Sequence, residues 1–154
     1  MELEGLEQLI THLSVIGTGL ATGLFGLMHR GRYDYDEKRR VNVARGDGLA
    51  QKIGKYFPKY KTVAPAIDHF AASVAVTTVG GGVIAAELHL LGATDPMQFI
   101  VGYGLAVCFY AGNEGCWEVR ELSSRKKDIG DYLQVTADLA APVAVLTTLY
   151  HLMF

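Results

Sequence analysis

The chain has 154 residues, which is the length of one domain and leaves no room for a second hydrophobic core. Half of the residues are apolar and 19% are charged, against roughly 25% charged in a typical soluble domain, and the mean hydropathy is positive at +0.21. This composition excludes a disordered chain and a disulfide scaffold. The net charge of −2 argues against a basic protein that binds nucleic acid.

Four segments of the chain are almost free of charged side chains. They are 8–28, 70–86, 96–113 and 132–154, and only the last contains a carboxylate side chain, that of Asp138. A transmembrane helix needs roughly 17 to 25 mostly apolar residues, and each segment has this length. We therefore predict an all-α polytopic membrane protein with a single domain, 1–154. Its compact bundle would contain four transmembrane helices at about 7–29, 63–91, 96–118 and 132–153.

Part of the first segment also fits a soluble protein. Residues 15–23 read VIGTGLATG, which resembles the glycine-rich turn of a dinucleotide-binding domain. That interpretation requires a βαβ unit, but about thirty polar and basic residues without an alternating pattern follow instead. We therefore prefer the membrane interpretation.

The basic residues are confined to two parts of the chain. Ten of the fourteen lie between Arg30 and Lys61, and the other four lie between Arg120 and Lys127. With four spans both zones fall on one side of the membrane, and the positive-inside rule places them in the cytoplasm. We predict cytoplasmic loops at 30–62 and 119–131, both termini on the non-cytoplasmic side, and location in a prokaryotic inner membrane.

The first basic loop contains a short amphipathic pattern. Its apolar stripe consists of Leu49, Ile53, Tyr56 and Phe57. The lysines that lie away from this stripe are Lys52, Lys55 and Lys59. A solvated loop would also obey the positive-inside rule, but the pattern favours a helix at 48–57 on the inner leaflet, with these lysines binding lipid headgroups.

Small residues recur at four-residue spacing on three of the predicted helices. The stripes are Gly19 and Gly23, then Gly104, Cys108, Gly112 and Cys116, and finally Thr136, Ala140, Ala144 and Thr148. Such stripes let helix backbones approach closely in lipid. Because one monomer does not need this much small-residue surface, we predict a homo-oligomer or a membrane-protein partner in addition to the bilayer.

Two local patterns concern the second and third spans. Gly80, Gly81 and Gly82 mark either a kink in the second helix or a place where another helix crosses it very closely. Asp95, Pro96 and Gln98 form a capping-box pattern that predicts the start of the third helix.

Ionisable groups at membrane depth are unfavourable, and they usually face a bundle interior or a water-filled cavity. The predicted orientation sorts them into two levels. The inner group, a candidate polar pathway, is Asp138, Glu114, Asp68, His69 and Glu118. The outer group is His12, Glu87, His89 and His151.

The inner group is compatible with three classes of function. The first is a small oligomeric channel, pore or transporter-like protein whose carboxylates line a polar pathway. The second is a non-catalytic membrane subunit, or an assembly or scaffold protein of a larger complex. The third is a metal-dependent membrane enzyme with carboxylate ligands to Mg²⁺, Mn²⁺ or Ca²⁺. No close ligand spacing such as HExxH occurs, so the sequence carries no specific sign of an enzyme.

A b-type haem protein is a further alternative. His12 with His89, and His29 with His69, would form two bis-histidine sites roughly 25 to 30 Å apart along the helices. A histidine near a helix end is more commonly an interfacial residue, so no cofactor is predicted.

Overall fold

A computed structural model describes the backbone of residues 3–31, 33–36, 41–44, 46–122 and 129–154. Side chains are described in the same ranges except at 3–4, 33–36, 41–44, 95 and 115–122. Residues 123–128 of the predicted loop 119–131 therefore lie outside the described part of the protein, as do the side chains of Glu118 and of 119–122.

Helices account for most of the described residues, and the predicted helical class is confirmed. The helices are α1 (Leu3–Arg30), α2 (Leu49–Tyr56), α3 (Tyr60–Leu90), α4 (Asp95–Met97), a π-helical segment (Gln98–Tyr103), α5 (Gly104–Leu122) and α6 (Ile129–Met153). The first basic loop also contains an antiparallel hairpin of β1 (Tyr33–Asp36) and β2 (Val41–Ala44). The expectation of no alternating pattern there was wrong, because YDYD and VNVA each alternate, although for only four residues.

Among the described helices, three are long and apolar enough to cross a bilayer. They are α1 over Gly5–Arg30, α3 over Tyr60–Leu90 and α6 over Ile129–Met153. The predicted third span, 96–118, is helical throughout but is divided among α4, the π-helical segment and α5. This part of the chain is not one of the three qualifying helices.

Helix α3 is the centre of the bundle and packs against α1, α2, α5, α6 and the π-helical segment. Its contact with α1 uses small residues on both sides. A Cβ on Gly23 would lie 3.3 Å from Cβ of Ala75, and one on Gly26 would lie 3.2 Å from Cβ of Ala71. The small residues of α1 therefore serve a contact within the chain, where they let two helices approach closely.

Aromatic contacts define the two ends of the bundle. Near the C-terminus of α6, Tyr150 and Phe154 pack on Phe99 with ring centroids 6.3 and 5.9 Å away. Phe99 lies beside Gln98, which bonds to His12 near the start of α1, so we name this the His12 end. At the opposite end, the His29 end, the last turn of α1 meets Tyr60 at the start of α3. Helices α3 and α6 therefore run parallel.

The glycine triplet does not break α3. A Cβ on Gly81 would lie 2.9 Å from Cα of Tyr103, and one on Gly82 would lie 2.7 Å from Cγ1 of Ile16. The π-helical segment therefore crosses α3 on one side at this level, and α1 crosses it on the other. Of the two interpretations of the triplet, the close crossing is correct.

Helix α2 is attached to the end of α1. Gly31 has φ of 76°, the left-handed conformation that ends many helices, and the Gln51 side chain donates to the carbonyl of Arg30 at 3.0 Å. The buried face of α2 contains Ala50 and Gly54. Its aromatic residues Tyr56 and Phe57 are 82% and 66% exposed.

The largest buried side chains of the bundle are mostly polar, whereas many large side chains on its surface are apolar. The largest fully buried side chains are Tyr103, His12, His29, Gln98, Thr77 and Ser73. Large apolar side chains such as Leu27, Phe109 and Val143 are 64% to 75% exposed. This distribution is the reverse of that in a soluble domain, and lipid-facing helices have it because lipid is itself apolar.

We expect the substitution Gly102→Ala to lower the free energy of unfolding by about 1–3 kcal/mol. The new Cβ would lie 2.8 Å from the carbonyl oxygen of Gly81 and would force α3 and the π-helical segment apart. Thermal unfolding in detergent, followed by circular dichroism, measures the effect. Gly104→Ala is the matched control, because a Cβ there meets nothing within 4 Å. Equal melting temperatures for the two variants would contradict the close crossing.

Candidate functional site

A cavity of about 710 Å³ lies towards the His29 end, between α1, α3, α5 and α6. Its apolar wall includes Leu20, Leu24 and Leu27 of α1 and Val76 of α3. Its polar lining consists of Arg30, Asp68, His69, Tyr110, Glu114 and Gln134. Polar and charged groups from all four helices therefore line one space between the helices, which is open on the side of the exposed α1 leucines.

Asp138 is the buried acid beside this cavity. Its Oδ1 accepts a hydrogen bond from the Tyr110 hydroxyl at 2.8 Å, and its Oδ2 lies 2.9 Å from Nδ1 of His69. Each carboxylate oxygen thus has a partner on a different helix. These bonds offset the loss of solvation that makes a buried carboxylate unfavourable.

The backbone of α6 is irregular at the same residue. Pro142 has no N–H, so the carbonyl of Asp138, four residues earlier, loses its donor within the helix. The Ser73 hydroxyl, which is fully buried, lies 3.4 Å from this carbonyl oxygen and donates to it. Ser73 therefore contributes to satisfying the polar group that the proline leaves without a partner.

Glu114 brings a second carboxylate to this place. One ligand atom each from His69, Glu114 and Asp138 can be chosen so that all three lie within 4.8 Å of one another. Asp138 is buried, while His69 and Glu114 are half-buried and line the cavity. An imidazole with two carboxylates can bind a cation or exchange protons.

His29 of α1 and Asp68 of α3 form a second pair. Asp68 directly precedes His69 in the sequence. Nδ1 of His29 lies 2.5 Å from Oδ1 of Asp68, and the Tyr60 hydroxyl contacts the other ring nitrogen. With a neutral ring, His29 donates to Asp68 and accepts from Tyr60. A hydroxyl, an imidazole and a carboxylate in series can relay a proton.

At the His12 end, His12 is the centre of a separate hydrogen-bond network. Its Nδ1 lies 3.1 Å from the Tyr103 hydroxyl and its Nε2 lies 3.0 Å from Oε1 of Gln98. Nε2 of Gln98 lies 2.7 Å from the carbonyl oxygen of Ala93 and 3.2 Å from Nδ1 of His89. Gln98 therefore links the two histidines.

The network determines which groups donate. The Gln98 nitrogen must face the carbonyl of Ala93, because only the nitrogen can donate to it. The amide oxygen then faces His12, so Nε2 of His12 carries the proton and Nδ1 accepts from Tyr103. The side-chain nitrogens and oxygens of the buried residues His12, Gln98 and Tyr103 all have partners, which is what burial requires.

The π-helical segment explains how two of its residues reach the same ring. In an α-helix, residues five apart point about 140° away from each other around the axis. A π-helix bonds residue i to i+5, so its residues five apart lie nearly one above the other. Gln98 and Tyr103 are five apart and both contact His12.

The structure distributes the predicted inner group as follows. It brings His69, Glu114 and Asp138 together. Asp68 lines the same cavity but pairs with His29, and the Glu118 side chain lies outside the described residues.

The predicted outer group divides into two pairs. His12 and His89 are joined through Gln98, whereas Glu87 and His151 are exposed and lie outside this network. In this arrangement both ring nitrogens of His12 and of His29 are engaged by other side chains, so neither ring offers a lone pair to a haem iron.

Several residues of these networks were missed in the sequence. They are Gln98, Tyr103, Tyr110, Ser73 and Tyr60. Gln98 was interpreted as a capping residue, but its side chain points to the histidines. A usable signal was present on α3, where His69, Ser73, Thr77, Gly81, Ala85 and His89 recur at four-residue spacing.

A buried cluster lies on the side of the Asp138 site that faces the His12 end. It consists of Ala85, Leu149 and the ring of Tyr103, whose hydroxyl belongs to the His12 network. Thr77 lies about two helical turns before Ala85 on α3, towards the His29 end, and its buried hydroxyl has no hydrogen-bond partner among the described residues.

The chain matches no protein-family model, no curated protein and no solved structure. Its function is therefore inferred from the geometry of its own residues.

We expect Gln98→Leu to lower the free energy of unfolding by about 1–3 kcal/mol, because it leaves His12, His89 and the carbonyl of Ala93 without their buried partner. Thermal unfolding in detergent measures the change. The matched control is Asn113→Leu, which makes a similar amide-to-leucine change at an exposed helical position. A loss of stability no larger than that of the control would show that the network does not stabilise the fold.

Proposed function

We propose that the chain is an integral membrane protein with four spans that binds and moves a cation, with Asp138, His69 and Glu114 at its binding site. The observation that carries this proposal is the meeting of these three side chains beside a cavity in a bundle whose surface is apolar. Intramembrane ionisable residues typically mark ion or proton pathways.

The fourth span in this proposal is the helical run from Asp95 to Leu122. Its residues Ile100, Leu105 and Phe109 are exposed, as expected for side chains that face lipid. The parallel direction of α3 and α6 also favours it, because the chain must cross the bilayer between two parallel spans.

The charge distribution favours one orientation. The described lysines, together with Arg30, all lie near the His29 end, in or beside the connection between α1 and α3. The positive-inside rule places this end in the cytoplasm of a prokaryotic cell and both termini outside. Exposed Tyr56 and Phe57 favour α2 lying on the inner leaflet. Three exposed lysines would bind lipid headgroups there, namely Lys52, Lys55 and Lys59.

A topology reporter distinguishes four spans from three. We expect an enzyme that is active only outside the cytoplasm to be active when fused after Phe154 and inactive when inserted at Gly46. A fluorescent protein that matures only in the cytoplasm should give the opposite pattern. Reversed signals at both sites would contradict the orientation. If both sites report the cytoplasm, the run from Asp95 to Leu122 does not cross the membrane.

The apolar cluster in the bundle favours a transporter-like mechanism over an open pore. The cavity reaches His69 and Glu114, with Asp138 beside them, and the cluster of Ala85, Tyr103 and Leu149 lies further towards the His12 end. A cation bound at the carboxylates would therefore wait for a conformational change before release on the other side.

We expect purified protein in liposomes to move protons or a metal cation above the rate of empty liposomes. Asp138→Asn should reduce this flux to the background, because it removes the buried charge that binds the cation. A pH-sensitive dye and a metal-sensitive dye inside the liposomes measure the two fluxes. Glu87→Gln is the matched control, since Glu87 is an exposed carboxylate on α3 away from the site. Unchanged flux in Asp138→Asn would contradict the proposed site.

A second candidate is a non-catalytic membrane subunit or assembly factor, alone or as a homo-oligomer. Its support is the outward position of two predicted stripes. A Cβ on Gly104 or Gly112 would meet nothing within 4 Å, and Cys108 is exposed. The stripe on α6 is exposed as well, at Thr136, Ala140, Ala144 and Thr148. Absence of any flux, together with a stoichiometric co-purifying protein, would favour this candidate.

A further inference from the structure

The cluster of His69, Glu114 and Asp138 combines one nitrogen ligand with two carboxylates. Mg²⁺ and Ca²⁺ prefer sites made of oxygen ligands alone. An imidazole beside carboxylates suits first-row transition metals such as Zn²⁺, Mn²⁺ and Fe²⁺. We propose that this cluster is a three-ligand site for a divalent transition-metal ion. This inference rests on the proposed function and specifies the class of cation that binds there.

Two of the ligand atoms lie nearly as close as they would on a metal ion. Two bonds of ~2.1 Å place their ligand atoms ~3.0 Å apart at the right angle of an octahedral site and ~3.4 Å apart at the tetrahedral angle. Nδ1 of His69 lies 2.9 Å from Oδ2 of Asp138. These two atoms can therefore bind one metal ion side by side, with the ion in place of the proton that they share.

Glu114 completes the site by a small movement. Its ligand atom lies within 4.8 Å of the other two, so it must approach by roughly 1 to 2 Å to reach a bonding position. The side chain of Glu114 has three rotatable bonds and faces the cavity, which provides room for this movement. Water from the cavity can fill the remaining positions on the metal, as in sites with three protein ligands.

The surrounding residues support the ligands. The Tyr110 hydroxyl donates to Oδ1 of Asp138 and leaves Oδ2 directed at His69. Such a bond to a ligating carboxylate fixes its orientation and strengthens metal binding. The ligands also come from three helices, α3, α5 and α6, so a bound metal would hold together the part of the bundle where the cavity lies.

The absence of another partner for Glu114 is a separate argument. No hydrogen bond or ion pair joins Glu114 to another of the described residues. The carboxylate of Glu114 is therefore available to bind a cation beside His69 and Asp138.

The experiment measures metal bound to the full-length protein in detergent, purified with a tag that contains no histidine. The chain is dialysed against Zn²⁺ or Mn²⁺ in a large excess of Mg²⁺, and bound metal is counted by mass spectrometry. We expect one transition-metal ion per chain, retained in the presence of Mg²⁺. Asp138→Asn and Glu114→Gln should each lose it, while Glu87→Gln should keep it.

We expect Glu114→Gln to fold normally, because Glu114 is half-buried and the cavity has room for the amide. A loss of metal binding in this variant therefore reports on the ligand and not on unfolding. Its melting temperature without metal should equal that of the unaltered chain, and the rise in melting temperature on adding Zn²⁺ should disappear. Wild-type binding in Glu114→Gln, or replacement of the metal by Mg²⁺, would overturn the proposal.

The outcome is separable from that of the transport experiment. One metal ion bound per chain without any flux in liposomes supports the metal site and contradicts the transport function. Proton flux that depends on Asp138, without binding of any transition metal, contradicts the metal site and leaves the transport function in place.

Discussion

Hydrogen bonding of polar groups inside an apolar surface is the constraint on which this bundle depends. Helix α3 contains the largest share of these groups, since His69, Ser73, Thr77 and His89 recur on one side of it. Most large side chains on the surface are apolar, and the partners of these buried groups come from the neighbouring helices. Tyr110 and Asp138 supply them near the His29 end, and Gln98 supplies them at the His12 end. The positions of α5, α6 and the π-helical segment follow from these bonds as much as from apolar packing.

The departures from regular helix lie where the polar groups need them. Pro142 frees the carbonyl of Asp138, and the Ser73 hydroxyl reaches that carbonyl. The π-helical segment turns Gln98 and Tyr103 to the same ring of His12. Glycines at the crossing of α3 bring the backbones close enough for these bonds to form. Each irregularity therefore allows a hydrogen bond to a residue on another helix. The sequence of its own helix alone does not explain it.

The sequence predicted what depends on composition along one helix. The uncharged segments predicted α1, α3 and α6, and the close crossing was one of the two interpretations of the glycine triplet. The sequence did not reveal the pairs of residues that depend on how the helices are rotated against each other. Gln98 was assigned to a helix start because the same Asp-x-x-Gln pattern serves a cap, and only the π-helical turn directs it inward. The pairing of His29 with Asp68 was missed because their separation of 39 residues gives no local signal.

The hydrogen bonds of Asp138 and Glu114 distinguish a structural carboxylate from one that is available to bind a ligand. Asp138 alone would be a satisfied structural carboxylate, since Tyr110 and His69 bond to its two oxygens. Glu114 has no such bonds among the described residues, and yet it lies beside Asp138 in an apolar bundle, where an idle second charge is unfavourable. The cavity of about 710 Å³ that Glu114 lines leaves space beside its carboxylate. The proposed cation site fits this arrangement, because Asp138 already has partners for both oxygens while Glu114 is available to bind a cation and to release it.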